Sequence, residues 1–361
     1  MGLDLGVSYV LEGSIQLQAD RVRVTAELID AASGSHIWAN RWDRSAADFF
    51  KVQSEISEAV AGALGGSFNL GAIVQEETER VRRKPPASLD AYDLYLIGVE
   101  AKAQRTKESI SKGLAALDRS IALDPNFARA YIIRAWLHMF TADSGVPWKD
   151  ALKAMGADLK KGVELDPGDA DAQAALAYYH TMDNKLAESE SLIREALALN
   201  PNNVNVLGLA AMVLPYVGHP EEAAALADKA LRLDPRMVPA NLAGIRHAYY
   251  WSRHFEQVIA VMNRIPEESR SSLGLLQLAA SHAFLGHTDE AAAAKAALLA
   301  KLPGITAQNY FADGWYFARK QEEDLFFDTF RVLKLPMCAT PEQLKSIAKP
   351  KPLPECPAMT N

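Results

Sequence analysis

Four Asx-Pro dipeptides mark the chain at nearly regular intervals, and their spacing limits the possible folds more than any other feature. Each follows an Ala/Leu-rich stretch of helical period, and successive dipeptides lie 42, 34 and 34 residues apart: Asp124-Pro125, Asp166-Pro167, Asn200-Pro201 and Asp234-Pro235. Proline disfavours helix continuation, so each dipeptide separates one helix from the next. A unit of this length predicts stacked helical hairpins, each burying its apolar face against its neighbour.

Small and large side chains recur at matching positions in successive units, as expected where helices cross closely. In the unit from Ala170 to Asn203 and in the following unit these positions hold Leu176, Ala177, Ile193 and Ala196, then Ala210, Ala211, Leu214, Ala223, Ala227 and Ala230. In this pattern the chain resembles the tetratricopeptide-repeat family. The resemblance implies two antiparallel helices per repeat and a role in holding another protein.

The repeats are predicted to span residues 91–336, as five to six hairpins followed by a terminal cap. Predicted helices and helix pairs are Ala128–Phe140, Trp148–Leu165, Val238–Ile265, Leu273–Leu302 and a capping pair, Gln308–Ala318 with Asp324–Leu333. Turn-forming residues around Thr141–Pro147 are expected to form an inserted loop.

The first 66 residues follow a different period, in which apolar residues alternate with polar ones. Val22, Val24, Ala26 and Leu28 alternate with polar residues, and residues 7–17 show the same period of two, which predicts two half-buried strands joined at Ala19-Asp20. A third strand, His36–Asn40, completes a predicted antiparallel meander. Helical spacing then predicts a helix over one face of the sheet, carrying Phe49, Val52, Ile56, Val60 and Leu64. The fold class is therefore mainly α, a helical-repeat solenoid preceded by a small α/β domain.

The segment LGVSYVLEGSIQLQADRVRVTAELIDAASGSHIWANRWDR resembles the second half of a TolB-like amino-terminal domain. Its continuation, LDAYDLYLIGVEAKAQRTKESISKGLAALDRSIALDPNFARAYIIRAWLHMF, is similar to the repeats that follow that domain in rhizobial-type class III adenylate cyclases and in some winged-helix transcription regulators. The resemblance implies a non-catalytic regulatory portion without the cyclase domain. Relative to that family we expect the opening strand, helix and strand to be missing, which leaves an open sheet edge suited to a homodimer.

Four divisions follow from these patterns: a partial TolB-like domain over 1–66, a linker over 67–90, the repeats over 91–336 and a Pro-rich flexible tail over 337–361. Cys338 and Cys356 are the two cysteines of the chain, and both lie in the predicted tail. We therefore expect neither a disulfide framework nor a metal site from them. No cofactor is expected.

Charge and hydropathy exclude two classes of partner. The net charge of −7 and the absence of a clustered Lys/Arg face argue against nucleic acid. No apolar run approaches the roughly 18 to 20 residues that cross a bilayer, so no membrane span is expected and a cytoplasmic protein is predicted. No phosphate-binding, zinc-protease or serine-hydrolase motif is present, so the chain is predicted not to be an enzyme.

A binding surface is predicted on the first helices of successive repeats, which line the groove of such a fold. The predicted groove residues are Arg129, Ile132, Trp136, Met139, Tyr178, Asn205, Met212, Arg246 and Tyr249. This apolar and aromatic strip suits an amphipathic helix or an extended peptide of a protein partner. The alternative, packing of these residues against the chain's own amino-terminal domain or tail, stays open. The functional alternatives are a regulatory part of an adenylate cyclase system and the effector part of a transcription regulator.

Overall fold

The computed structural model describes residues 7–45, 60, 73, 78, 90–235, 237, 239–310, 317–346 and 353–356. Two compact units divide the chain. The first unit runs up to Asp158 and includes the short segments 202–204 and 233–235, and the second unit holds the remainder from Leu159 onward.

The amino-terminal part of the first unit is an antiparallel sheet of three strands. Its strands are β1 (Tyr9–Gln18), β2 (Arg21–Asp30) and β3 (His36–Ser45), in the order β1-β2-β3. A two-residue loop joins β1 to β2, with Ala19 in the left-handed region at φ 52°. The predicted meander is confirmed, but β3 continues to Ser45 because Trp42 pairs with Val24 across the sheet.

One face of the sheet carries a small apolar core. Val22, Val24, Ala26 and Trp42 are buried there, with Trp38 and Val60 packed against them. Val60 belongs to the predicted covering helix, whose other apolar residues, Phe49, Val52, Ile56 and Leu64, lie outside the described residues.

Strand β1 departs from its predicted half-burial. Ile15 and Leu17 pair with Val24 and Val22, yet each keeps 70% of its surface exposed. The prediction was wrong here because the buried cluster is formed by β2 and β3 with Val60 packed against it, and β1 contributes no residue to it. Alternation in the sequence identifies a strand but does not show whether an element covers it.

Most of the rest of the described chain is helical. Their bounds are α1 (Ala91–Gln104), α2 (Lys107–Leu123), α3 (Ala128–Phe140), α4 (Trp148–Leu165), α5 (Ala170–Met182), α6 (Leu186–Leu199), α7 (Val204–Val213), α8 (Pro220–Leu233), α9 (Leu242–Trp251), α10 (Phe255–Met262), α11 (Ser272–Phe284), α12 (Thr288–Lys301), α13 (Ala307–Tyr310), α14 (Lys320–Val332) and α15 (Pro341–Ser346). Short 3-10 turns lie at Thr141–Ser144, Pro239–Asn241 and Glu267–Ser269. The predicted repeats are confirmed as six hairpins, α1/α2 to α11/α12, in the described residues.

Small residues set the distance between helices within a hairpin. In the first repeat a methyl group on Gly98 would lie 2.7 Å from the Leu117 side chain, and one on Gly113 would lie 2.5 Å from Ala101 Cβ. Ser120 Oγ donates a hydrogen bond to the Ala91 carbonyl across the same hairpin, at 2.6 Å. The helices therefore approach closely at positions where the sequence places Gly, Ala or Ser.

A close approach in the second unit joins the first helices of two successive repeats. A methyl group built on Gly244 of α9 would lie 2.2 Å from the carbonyl oxygen of Gly208 in α7. Gly208 itself faces open space. Gly244 therefore fixes how α9 lies against α7, and α9 carries Arg246.

The predicted capping pair is corrected in its first member. Helix was expected over Gln308–Ala318; residues 308–310 are helical in α13, residues 311–316 lie outside the described residues, and Phe317 and Ala318 are not helical. Ala318 is not helical, because its N–H donates to the carbonyl of Tyr216 at 2.8 Å. The second member, α14, is confirmed.

The tail is also corrected. Cys338 and Cys356 form a disulfide, contrary to the prediction. Leu353 is buried and Glu355 pairs with Arg331 of α14 at 2.5 Å, so the end of the described tail is held to the helical part by this ion pair. A separation of 18 residues gave no sequence signal for this pairing, because it depends on the chain folding back.

Candidate protein-binding site

The predicted groove residues of the first unit differ in their exposure. Arg129 is exposed and Met139 is half-buried, whereas Ile132 and Trp136 are each 7% exposed. Lys102 Nζ lies 5.3 Å from the centroid of the Trp136 ring, and the Phe140 ring lies 6.4 Å from it. Trp136 therefore contributes mainly to the core of its repeat, and Arg129 and Met139 are the side chains that a ligand would reach.

The groove residues of the second unit also separate into two groups. Tyr178 and Met212 are half-buried, whereas Asn205, Arg246 and Tyr249 are buried. The Tyr249 hydroxyl donates to Asp228 Oδ1 of α8 at 2.5 Å, and burial together with this carboxylate raises the pKa of Tyr249. Tyr249 thus holds two helices together.

Arg246 is a buried cation with few partners. It is 3% exposed, and its Nε donates to Oε1 of Gln277 at 2.7 Å. Within the described part of the chain, neither terminal guanidinium nitrogen forms an ion pair or a hydrogen bond. Burial lowers the pKa of Arg246 to about 10, against the weaker opposing influence of Tyr310 and Tyr216. The side chain is therefore charged at neutral pH although it is largely removed from water.

Trp251 and His247 form a hydrogen bond next to Gln277. Trp251 Nε1 donates to His247 Nε2 at 2.8 Å, which places the proton of the neutral imidazole on Nδ1. Nδ1 lies 3.4 Å from Gln277 Nε2, but both nitrogens are then donors, so this contact is not a hydrogen bond. Burial, followed by the charge of Arg246, holds the pKa of His247 well below its ordinary value, so His247 is neutral at pH 7.

Aromatic rings surround these polar groups. The Tyr216 ring lies 5.2 Å from His247 and 5.1 Å from Phe317, and burial raises its pKa well above the ordinary value. Burial also raises the pKa of Tyr310 to about 12. Hereafter the Arg246 cluster means Arg246, His247, Trp251, Gln277, Tyr216 and Tyr310.

Sequence reasoning found part of this cluster. It named Arg246 and also Tyr178, which lies within electrostatic range of Tyr216. It did not name Tyr216, Gln277 or Tyr310. A signal was available for Gln277: it lies 31 residues after Arg246, close to one repeat length, and is polar within an otherwise apolar first helix.

A second partly buried arginine, in the first unit, has a different environment. Arg134 of α3 contacts both oxygens of Asp158, with Nε at 2.8 Å and Nη2 at 2.7 Å. Its Nη1 donates to Asp118 at 2.8 Å. These carboxylates raise the pKa of Arg134, the hydrogen bond to Asp158 most of all. Arg134 is thus a structural residue that joins α2, α3 and α4.

The described residues offer no candidate metal site and no candidate membrane span. They contain no group of three or more His, Cys, Asp or Glu side chains placed to hold a metal ion. No described helix combines the length and the apolar character needed to span a bilayer.

One curated protein confirms the predicted resemblance to adenylate cyclases. The chain is 30% identical over 190 residues to putative adenylate cyclase 3 of Rhizobium meliloti strain 1021. The match covers 52% of this chain and 31% of that protein, so the chain spans about a third of its relative's length. No family model matches the chain. The TolB-like part of the resemblance stays a prediction.

Solved helical-repeat structures are also similar to the chain. The APC/C hetero-tetramer Cut9-Hcn1 matches with a TM-score of 0.48 at 15% identity, covering 76% of this chain and 48% of that one. A tetratricopeptide-repeat protein from Parabacteroides merdae matches with a TM-score of 0.42 at 12% identity, covering 77% and 98%. Pseudomonas aeruginosa pilF matches with a TM-score of 0.41 at 17% identity, covering 64% and 95%.

Proposed function

We propose that the chain is a non-catalytic interaction and regulatory scaffold that binds a peptide or an amphipathic helix of a protein partner in its repeat groove. The observation that carries the proposal is Arg246 in the Arg246 cluster, because a buried arginine whose terminal nitrogens donate to no described residue is typical of a recognition site rather than of a repeat core. Tyr178 and Met212 are half-buried on first helices of the same unit and are accessible to a ligand.

Affinity capture from native cell extract tests this proposal. The intact chain is compared with a Tyr178→Ala/Met212→Ala variant, and retained proteins are identified by mass spectrometry. These positions are preferred to Trp136 and Tyr249, whose low exposure means that their removal would also weaken the fold. Loss of one partner with the folded variant is expected, whereas identical retention would contradict binding at this surface.

Regulation of an adenylate cyclase is the alternative function, and the match to putative adenylate cyclase 3 favours it. In this case the chain senses a partner and biases a cyclase domain that the matched segment does not include. A direct assay separates the roles: the purified chain is incubated with ATP and divalent metal, and cyclic AMP is measured. We expect none above the level of a heat-denatured control, and turnover by the chain alone would overturn the non-catalytic assignment. The effector part of a winged-helix transcription regulator stays a weaker prediction.

Self-association through the sheet is a separate proposal about partners. Strand β1 forms an edge of the sheet, and Ile15 and Leu17 remain exposed beside it. Such an edge suits pairing with β1 of a second copy. Light scattering of the intact chain should give a dimer mass that falls to the monomer mass with Ile15→Lys/Leu17→Lys. A monomer for the intact chain at tens of micromolar would contradict the proposal.

Location in the cytoplasm stays a prediction, and the disulfide gives a way to test it. Disulfides persist in oxidising compartments and are rare in the cytosol. Alkylation of free thiols in intact cells, followed by mass spectrometry, reads the state of Cys338 and Cys356. We expect both to be alkylated in the cytoplasm, whereas a protected pair would place the chain in an oxidising compartment.

A further inference from the structure

The guanidinium of Arg246 lies in surroundings that suit an anion. Burying a charge without a compensating partner is costly, so buried charges in proteins are normally paired. Arg246 instead has one neutral acceptor, Gln277, and its two terminal nitrogens donate to no described side chain or carbonyl. Up to four N–H donors therefore remain for a ligand.

The first turn of α11 lies beside this guanidinium and adds to its preference for an anion. A methyl group on Gly274 would lie 2.9 Å from Arg246 Nη1, so glycine is what lets the guanidinium approach the helix. The N-terminal end of a helix carries a partial positive charge, which disfavours a lone cation and favours an anion. Ser271 caps Gly274, whereas the N–H groups of Ser272 and Leu273 donate to no described residue.

The chemistry of the site favours a carboxylate. A guanidinium presents its donors in a planar fork that matches two carboxylate oxygens. Tyr216 and Tyr310 lie within electrostatic range of Arg246 and carry no positive charge that would compete for an anion. The net charge of −7 means that the molecule as a whole does not attract acidic ligands, so any preference for them must come from a local cation.

We propose that Arg246 is the anchor of a carboxylate-binding site, which takes an Asp or Glu side chain of the partner polypeptide. The proposal rests on the proposed scaffold function and names the chemical feature by which the partner is recognised. Gln277 accepts a hydrogen bond from Nε of Arg246, which leaves the two terminal nitrogens of the guanidinium for the ligand. The hydrogen bond between Trp251 and His247 lies next to Gln277.

Selection from a random peptide display library tests the proposal without knowledge of the natural partner. The intact folded chain is the target, and Arg246→Gln is the matched target without the cation. We expect the selected peptides to share an acidic residue. A representative peptide should bind Arg246→Gln at least tenfold more weakly, and its Glu→Gln form should bind the wild-type chain at least tenfold more weakly.

A second variant keeps the test decisive if Arg246→Gln does not fold. Gly274→Ala retains the arginine but places a methyl group 2.9 Å from the position of Nη1, so the guanidinium must move and binding of the acidic peptide should also weaken. Circular dichroism and thermal unfolding verify that each variant is folded before affinities are compared.

The outcomes separate this inference from the scaffold proposal. Peptides without an acidic preference, or acidic peptides that bind Arg246→Gln and Gly274→Ala as tightly as the wild type, would overturn the carboxylate site and leave the scaffold intact. Failure to select any peptide would overturn both. Acidic peptides lost with both folded variants would support the site.

Discussion

Arg134 in the first unit and Arg246 in the second are both carried by the first helix of a repeat, yet their surroundings are opposite. Arg134 has two carboxylate partners, and its pKa is raised, chiefly by the hydrogen bond to Asp158. Arg246 has an amide partner, and burial lowers its pKa. The comparison teaches that the first arginine is paired within its own repeat, whereas the second is buried without a carboxylate among the described residues, as we propose for a ligand-binding group.

The largest expected effect on stability concerns the packing of α9, the helix that carries Arg246, against α7. Gly244→Ala should lower the free energy of unfolding by about 3 kcal/mol or more, because the new methyl group meets the Gly208 carbonyl rather than a movable side chain. Chemical denaturation measures this. Gly208→Ala is the matched control, and it should stabilise by up to about 1 kcal/mol, since its methyl group meets open space and alanine favours helix. Equal effects would contradict the close approach of α7 and α9.

Removal of the paired arginine should have the next largest effect. Arg134→Met should lower the free energy of unfolding by about 3 kcal/mol, because it leaves Asp158 buried without its cation. Urea denaturation of the purified variant measures the loss. Asp118→Asn is the control and should change stability by less than about 1 kcal/mol, since Asp118 is mostly exposed. A loss below about 1 kcal/mol for Arg134→Met would mean that Arg134 does not fix its repeat.

Lowering the pH should destabilise the folded protein in part through His247, a member of the Arg246 cluster. The pKa of His247 is depressed in the folded state, so below about pH 6.5 the unfolded chain binds a proton that the folded chain does not. Stability is therefore complete above the unfolded pKa and falls as the pH drops below it, by up to about 1.4 kcal/mol per pH unit.

Denaturation from pH 7.5 to 5 with His247→Gln as the comparison isolates this contribution. Burial also depresses the pKa values of His138, His180 and His282, and those residues act in both proteins. The free energy of unfolding of His247→Gln should fall less steeply with decreasing pH than that of the wild type, by an amount that corresponds to about one proton. Parallel curves would show that His247 is protonated in the folded state.

The smallest effect on stability is expected from removal of Arg246. Arg246→Met should change the free energy of unfolding by less than about 1 kcal/mol, because removing an unpaired buried charge offsets the hydrogen bond lost by Gln277. The same denaturation series that includes Arg134→Met measures it. A loss as large as that of Arg134→Met would show that Arg246 is already paired within the chain.

Most of the fold could be predicted because its signals are local. The Asx-Pro dipeptides gave the ends of α2, α4, α6 and α8, and the alternation in residues 21–30 gave β2. Each signal lies within the element that it predicts, where backbone sterics and side-chain period decide the outcome.

The features that were missed depend on contacts between distant segments. Ala318 leaves the helical conformation because Tyr216 accepts its N–H, and Cys338 meets Cys356 because the tail folds back on α14. The same reason limited the prediction of the site. The sequence pattern placed Arg246 on a first helix, but the absence of a carboxylate partner depends on the residues that α11 brings beside it. Periodicity shows which face a residue occupies but not its partner.

The central claim is that Arg246 binds a carboxylate of the partner, and a double-mutant cycle on one selected acidic peptide tests it most directly. Four dissociation constants are measured by fluorescence anisotropy, for wild type and Arg246→Gln with the acidic peptide and with its Glu→Gln form. The account predicts that each single change costs at least tenfold, about 1.4 kcal/mol, and that the double change costs little more than either alone. Losses that multiply would show that the two groups do not interact, and would contradict the account.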